Sequence, residues 1–163
     1  MLAPPGGATA QRSIVLADEA ATAVLGAALA HRARPGDVVT LAGPLGAGKT
    51  SFARAFIAAL GVREEVPSPT FTLVQTYETA IGVVWHFDLY RLTDPDEIHE
   101  LGLDEALVDG IVLIEWPERL GALLPRERLD VALEPGSGPD TRLLTLHGTE
   151  RWTTALGEIF VGG

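Results

Sequence analysis

The sequence predicts an α/β fold, a mixed and mostly parallel sheet covered on both faces by helices, and three observations carry that prediction. Strand-like apolar runs alternate with helix-period segments along the chain. Two of the runs, Val38 to Ala42 and Ile111 to Ile114, are apolar nearly throughout, as strands buried on both faces are. Short turn-rich links, one through Gly82 and one through Pro135-Gly136-Ser137-Gly138, predict hairpins that add antiparallel strands.

Each element has a local reason. Ser13 to Leu16 reads as a short first strand. Asp18 is an N-cap for a helix running to about Ala33, with Ala21, Val24, Leu25, Ala28 and Leu29 spaced to share one face. Arg32 and Arg34 suit the negative end of that helix, and Pro35-Gly36 closes it. After the strand Val38 to Ala42 comes a Gly-rich turn. A helix follows from about Lys49 to Leu60, with Phe52, Ala55, Phe56 and Ala59 as its apolar face and Gly61 as its stop. Pro67-Ser68-Pro69 is loop. Thr72 to Tyr77 and Val83 to Phe87 pair as a hairpin. Asp94-Pro95-Asp96-Glu97 starts another helix: a cap, a proline in first position and a glutamate three residues past the cap. Leu129 to Leu133 and Arg142 to His147 are later strands, and Trp152 to Phe160 a last helix.

A chain of 163 residues suits one domain with a proper core. Residues 1–12, rich in Ala, Pro and Gly, read as a loose N-terminal tail, and 13–163 as the domain. No stretch is long and apolar enough to cross a bilayer, and the N-terminus lacks the basic start and apolar run of a signal peptide. The absence of cysteine removes disulfides, thiolate zinc sites and cysteine nucleophiles, and fits a cytoplasmic protein. The four histidines, His31, His86, His99 and His147, show no metal-ligand spacing. A formal net charge of −10 argues against unaided binding of nucleic acid, which relies on basic groups to neutralise phosphates.

The chemistry begins at Gly43-Pro44-Leu45-Gly46-Ala47-Gly48-Lys49-Thr50, a complete G-x-x-x-x-G-K-[ST] phosphate-binding loop between a strand and a helix. Its glycines let the backbone curl so that N–H groups and the positive end of the helix form a cradle for phosphate oxygens. Lys49 is the only lysine in the chain and is placed to reach the β- and γ-phosphates. The Thr50 hydroxyl is a Mg²⁺ ligand in this pattern, and Ser51 can touch the α-phosphate. The expected architecture is therefore a single-domain, three-layer P-loop nucleoside triphosphate hydrolase.

Hydrolysis needs a metal clamp and an oriented water. Glu115, directly after Ile111 to Ile114, occupies the usual place of the second metal carboxylate; the alternative is a solvated strand-end acid. Asp88 ends the apolar stretch Val83 to Phe87 and is either a partner of Glu115 in holding or orienting water, or a turn cap. Ser68, Thr70 and Thr72 place hydroxyls on a loop that either senses the γ-phosphate or is ordinary turn chemistry. Trp116 packs near nucleotide or partner, or in the core. The acidic run from Asp94 to Asp109 is a solvated face or a docking surface for a basic partner.

Taken together, four blocks resemble the TsaE family, also called YjeE. They are Gly43 to Thr50, Ser68-Pro-Thr-Phe-Thr72-Leu-Val, His86-Phe-Asp-Leu-Tyr-Arg-Leu92, and Leu113-Ile-Glu-Trp-Pro-Glu118. The resemblance spans roughly Ile14 to Leu133. It implies an ATPase required for the threonylcarbamoyl modification of the tRNA adenosine next to the anticodon. It implies that Gly43, Leu45, Gly46, Ala47, Gly48, Lys49, Thr50, Ser51 and Thr70 bind ATP, and that Thr50 and Glu115 ligate magnesium. Asp88 would be needed for hydrolysis, and Ser68 would lie on a loop that responds to nucleotide. It also implies TsaD-like and TsaB-like partners, of which the TsaD-like one does the transfer onto tRNA; the acidity of this chain agrees with its meeting tRNA only indirectly, through partners.

Three other readings compete. A small-molecule or nucleoside kinase would need an acceptor pocket and an arginine-bearing lid, for which Arg91, Arg119, Arg126 and Arg128 are the candidates. A GTPase switch would need an Asn-Lys-x-Asp block, which a chain without asparagine cannot have. A nucleotide-dependent binding module would differ only in having negligible turnover.

Overall fold

The computed structural model describes residues 4–6, 9–67, 69 and 71–160. Its strands are β1 (Thr9–Leu16), β2 (Val38–Ala42), β3 (Val74–Thr79), β4 (Gly82–Asp88), β5 (Ile111–Glu115), β6 (Leu129–Pro135) and β7 (Arg142–Thr149). Its α-helices are α1 (Glu19–Ala30), α2 (Lys49–Ala59), α3 (Leu103–Asp109) and α4 (Arg151–Phe160). The seven strands form one sheet in the order β1-β7-β6-β2-β5-β4-β3. Its centre is parallel, β6 with β2, β2 with β5 and β5 with β4. Its flanks are antiparallel: β6 with β7, β7 with β1, and the β3–β4 hairpin. This is the α/β mixed-sheet class that the sequence predicts.

Alternation along β2 divides the interior into two cores. Val39 and Leu41 point to the side of α1, α2 and α4, where they meet Leu25, Leu29, Phe52, Phe56 and Trp152. Val38 points to the other side, with Val112, Ile114, Phe87 and Leu103. Sheet and flanking helices therefore make three layers. Full burial of Phe52 and Phe56 stabilises the α2–sheet contact by roughly 2–3 kcal/mol each.

Several elements depart from the sequence reading. β1 begins at Thr9, so Thr9 to Arg12, assigned above to the tail, belong to the sheet and pair with β7 from Leu146 to Thr149. Asp18 does cap α1, accepting from the Ala21 N–H at 2.9 Å. The buried face of α1, however, is Thr22, Leu25, Gly26 and Leu29, while Val24 is 70 % exposed. An Ala-rich helix is apolar nearly all round, so spacing alone does not mark its inner face. Gly26 marks it instead: a Cβ there would sit 3.0 Å from the Phe52 carbonyl oxygen, so α1 and α2 approach closely through a residue that has none. The acidic segment after Asp94 is two pieces, not one helix. A 3₁₀ turn covers Pro95–His99 and α3 follows, separated at Gly102, whose φ of 96° breaks helical geometry.

Among the described residues no helix is long and apolar enough to cross a membrane. β2, β4 and β5 run in the same direction, so their C-terminal ends open on one edge of the sheet. Gly43, Asp88 and Glu115 all lie on that edge, where ligands of open α/β sheets bind.

Candidate active site

The chain passes from β2 to α2 through the Gly-rich loop. Gly43 has φ 144°, and a Cβ there would press into the Leu133 carbonyl oxygen of β6, far inside van der Waals contact. Only glycine lets the loop lie this close to the sheet. The Ala47 N–H donates to the Pro44 carbonyl at 3.2 Å and closes the turn. Gly48, with φ 104°, is the N-cap of α2 and brings no side-chain cap. The first N–H groups of α2 are thus left without a capping side chain, the condition under which a helix N-terminus receives an anion.

Lys49 is nearly buried, 5 % exposed. Its ammonium donates to the Gly43 carbonyl and to the Pro44 carbonyl, the latter at 3.3 Å, and lies 3.5 Å from the centroid of the Trp116 ring. Burial pushes it below the ordinary lysine value, and Glu115, Glu118 and Asp88 pull it back. Trp116 reaches this place because it follows Glu115 in a left-handed conformation, φ 59°, and its ring packs on Tyr90 with centroids 4.9 Å apart.

Parallel register sets Asp88 opposite Glu115. Because side chains alternate along a strand, His86 and Asp88 share the face of the sheet that carries Glu115. Both carboxylates are buried, at 4 % and 1 % exposure. Glu115 Oε1 accepts from the Thr50 hydroxyl at 3.2 Å, and Oε2 lies 2.7 Å from His86 Nε2. Asp88 Oδ1 accepts from the Tyr90 N–H at 3.1 Å, so it caps the turn after β4. It also lines the same 260 Å³ cavity as Lys49, Thr50, Glu115 and Trp116, so capping and facing the phosphate loop are not exclusive. Glu115 is no solvated strand-end acid.

Lys49, Thr50, Asp88 and Glu115 line one cavity at the mouth of the loop. The donors present, a hydroxyl and carboxylates, are hard oxygens. Among the described residues no three His, Cys, Asp or Glu converge into an all-protein cage. Magnesium does not need one, since it takes one or two carboxylates with phosphate oxygens and water. Thr50 and Glu115 therefore fit such an ion, with Asp88 beside them.

A second cavity of 420 Å³ adjoins the first across Gly46, Gly48 and Ser51 and is bounded by Asp18, Glu19 and Arg142. Ser51 donates to Glu19 across it at 2.8 Å. Leu45, at the loop tip, is 71 % exposed. A 660 Å³ cavity near Arg34 and Arg151 lies at the other end of the sheet, away from all of these residues. Ser68 and Thr70 lie outside the described residues.

Two residues of the site were given no role by the sequence. Arg142, at the start of β7, donates from Nε to the Ala47 carbonyl and from Nη2 to the Gly46 carbonyl, each at 3.2 Å, and so clamps the loop from behind. Only the β6–β7 hairpin brings it there. His86 lies within the third block, yet nothing in its spacing announces the bond to Glu115. The signal was available in period-two alternation: in β4, residues 86 and 88 share a face.

Comparison with known proteins points to one family. The family model described as threonylcarbamoyl adenosine biosynthesis protein TsaE matches residues 16–143. A Rickettsia felis protein named tRNA threonylcarbamoyladenosine biosynthesis protein TsaE is 45% identical over 122 residues, 74% of this chain and 71% of that protein. Proteins of the same name from Bacillus subtilis and Mycobacterium tuberculosis are 43% and 40% identical over 114 and 133 residues. They cover 69% and 76% of this chain and 70% and 79% of their own lengths. The crystal structure of Bacillus subtilis YdiB superposes with a TM-score of 0.79 at 31% identity, covering 94% of this chain and 97% of that one. With four motif blocks in order, a shared fold and a family match over most of its length, the chain belongs to the TsaE family.

Proposed function

We propose that this protein is a magnesium-dependent ATPase that supports threonylcarbamoyladenosine formation on tRNA. The biological process follows from the family and from the names of its relatives. The chemistry rests on one observation: Thr50, Glu115 and Asp88 converge beside Lys49 at the mouth of a complete phosphate loop.

In this reading the triphosphate occupies the cradle of Gly43 to Thr50, and its β- and γ-phosphates draw Lys49 away from the Gly43 and Pro44 carbonyls. Ser51 exchanges its bond to Glu19 for the α-phosphate, and ribose and base extend into the 420 Å³ cavity beside Arg142. Thr50 and Glu115 hold Mg²⁺, which when bound offsets charge developing on the transferred phosphoryl group. Asp88 orients the attacking water, with its own carboxyl steadied by the Tyr90 N–H. Thr70 and Ser68 take part in the response to nucleotide, and Trp116 passes it from Lys49 to a partner. The protein acts on a complex of TsaD-like and TsaB-like proteins in the cytoplasm, and those partners grip the tRNA that a chain of net charge −10 is ill suited to hold.

Turnover of γ-labelled ATP, alone and with the partner complex, tests the proposal. Label released as inorganic phosphate and faster with partners is the expected result. Label on an added nucleoside or other acceptor would make the protein a kinase, and no turnover in either condition would make it a nucleotide-dependent binding module.

A further inference from the structure

His86 is fully buried on β4. Its Nε2 stands 2.7 Å from Glu115 Oε2, and its Nδ1 meets no hydrogen-bond partner among the described residues. An ionised carboxylate only accepts, so Nε2 carries the hydrogen of this pair. A buried imidazole with one nitrogen unpaired is a poor filler of apolar space, which a phenylalanine or leucine would fill at lower cost. What the imidazole adds is one donor aimed at Glu115. The remaining oxygen of that carboxylate, Oε1, faces the Thr50 hydroxyl at 3.2 Å. The two oxygens of Glu115 are thus divided between the interior and the phosphate loop.

We propose that His86 is a positioning residue for the magnesium site: its Nε2–H ties down Glu115 Oε2 and leaves Oε1, beside Thr50, as the one oxygen that Glu115 presents to the ion. The inference rests on the nucleotide reading above and concerns how the ion is gripped. Without His86 the carboxylate is free to rotate or to turn Oε1 away from Thr50, and the magnesium enhancement of nucleotide binding falls. Hydrogen-bond partners behind ligating carboxylates typically govern about 10–100-fold in metal affinity.

The test is calorimetric. Affinity of the whole chain for a non-hydrolysable ATP analogue is measured in EDTA and in saturating Mg²⁺, and the ratio of the two is the readout. His86→Phe and His86→Asn remove the donor at the Nε2 position, and His86→Gln restores one through its longer amide. The expected result is an unchanged affinity in EDTA, a magnesium enhancement lower by about tenfold or more in the Phe and Asn variants, and recovery of most of it in Gln. Should the Phe variant not fold, the Asn and Gln variants make the same comparison with two polar side chains. A wild-type enhancement in the Asn variant overturns the proposal. So does an equal loss with and without magnesium, which would make His86 a packing residue. Wild-type protein that binds no analogue, or binds it without regard to magnesium, overturns the nucleotide reading itself and this inference with it; that failure is seen in the wild type, not in the variants.

Discussion

The ammonium of Lys49 lies 3.5 Å above the centre of the Trp116 indole while it donates to the carbonyls of Gly43 and Pro44. The lysine is thus held within its own loop by an aromatic face and two backbone oxygens, contacts that the proposed phosphate would replace. Lys49→Ala is expected to weaken ATP binding by at least tenfold. Charge-assisted hydrogen bonds of this kind are worth roughly 1.5–3 kcal/mol. Calorimetric titration checks this, with thermal melting as the control for folding; undiminished affinity removes the phosphate-loop claim.

Gly43 admits no side chain. Its φ of 144° and the Leu133 carbonyl against the missing Cβ both penalise alanine. Gly43→Ala is expected to cost about 2 kcal/mol or more of stability, a strained backbone and a steric conflict acting together. Chemical denaturation measures it. A variant as stable as the wild type would mean that the loop does not rest on β6 as described.

Arg142 spans two loop carbonyls that a shorter or single-pronged group cannot reach together. Arg142→Ala is expected to weaken nucleotide binding several-fold, in line with about 1 kcal/mol for a lost pair of hydrogen bonds. Arg142→Lys should recover little of it, because an ammonium lacks the guanidinium fork. Full rescue by lysine would show that charge alone matters at this position.

Asp88→Asn keeps an oxygen to accept from the Tyr90 N–H and removes the negative charge. Nucleotide affinity is expected to be retained while hydrolysis falls by about 100-fold or more, the scale on which losing a carboxylate that handles the attacking water is felt. Single-turnover kinetics with saturating ATP separates binding from chemistry. Persisting turnover would return Asp88 to the role of a turn cap.

The parts of the site carried by contiguous residues were legible in the sequence. Gly43 to Thr50 declares its loop through glycine spacing, and Glu115 follows a short apolar run of the kind that forms a buried strand. Asp88 was legible too, as the polar end of Val83 to Phe87, although capping and catalysis look alike in sequence; in the structure its carboxyl caps the turn after β4 and lines the cavity beside Lys49. What sequence left hidden depends on register and on distant pairing. The His86–Glu115 bond requires β4 to lie parallel to β5 with Asp88 against Glu115, and Arg142 reaches Gly46 only because β7 folds back along β6. The inner face of α1 was misread for a third reason: alanines surround that helix, and the close approach at Gly26 depends on where α2 lies.

The most direct test of the account is a crystal structure with Mg²⁺ and a non-hydrolysable ATP analogue. The predicted result has the β- and γ-phosphates on the amides between Gly43 and Thr50, Lys49 turned from the Pro44 carbonyl onto them, and the ion between Thr50 Oγ1 and Glu115 Oε1. An analogue seated elsewhere, or an ion bound without Thr50 and Glu115, would contradict it.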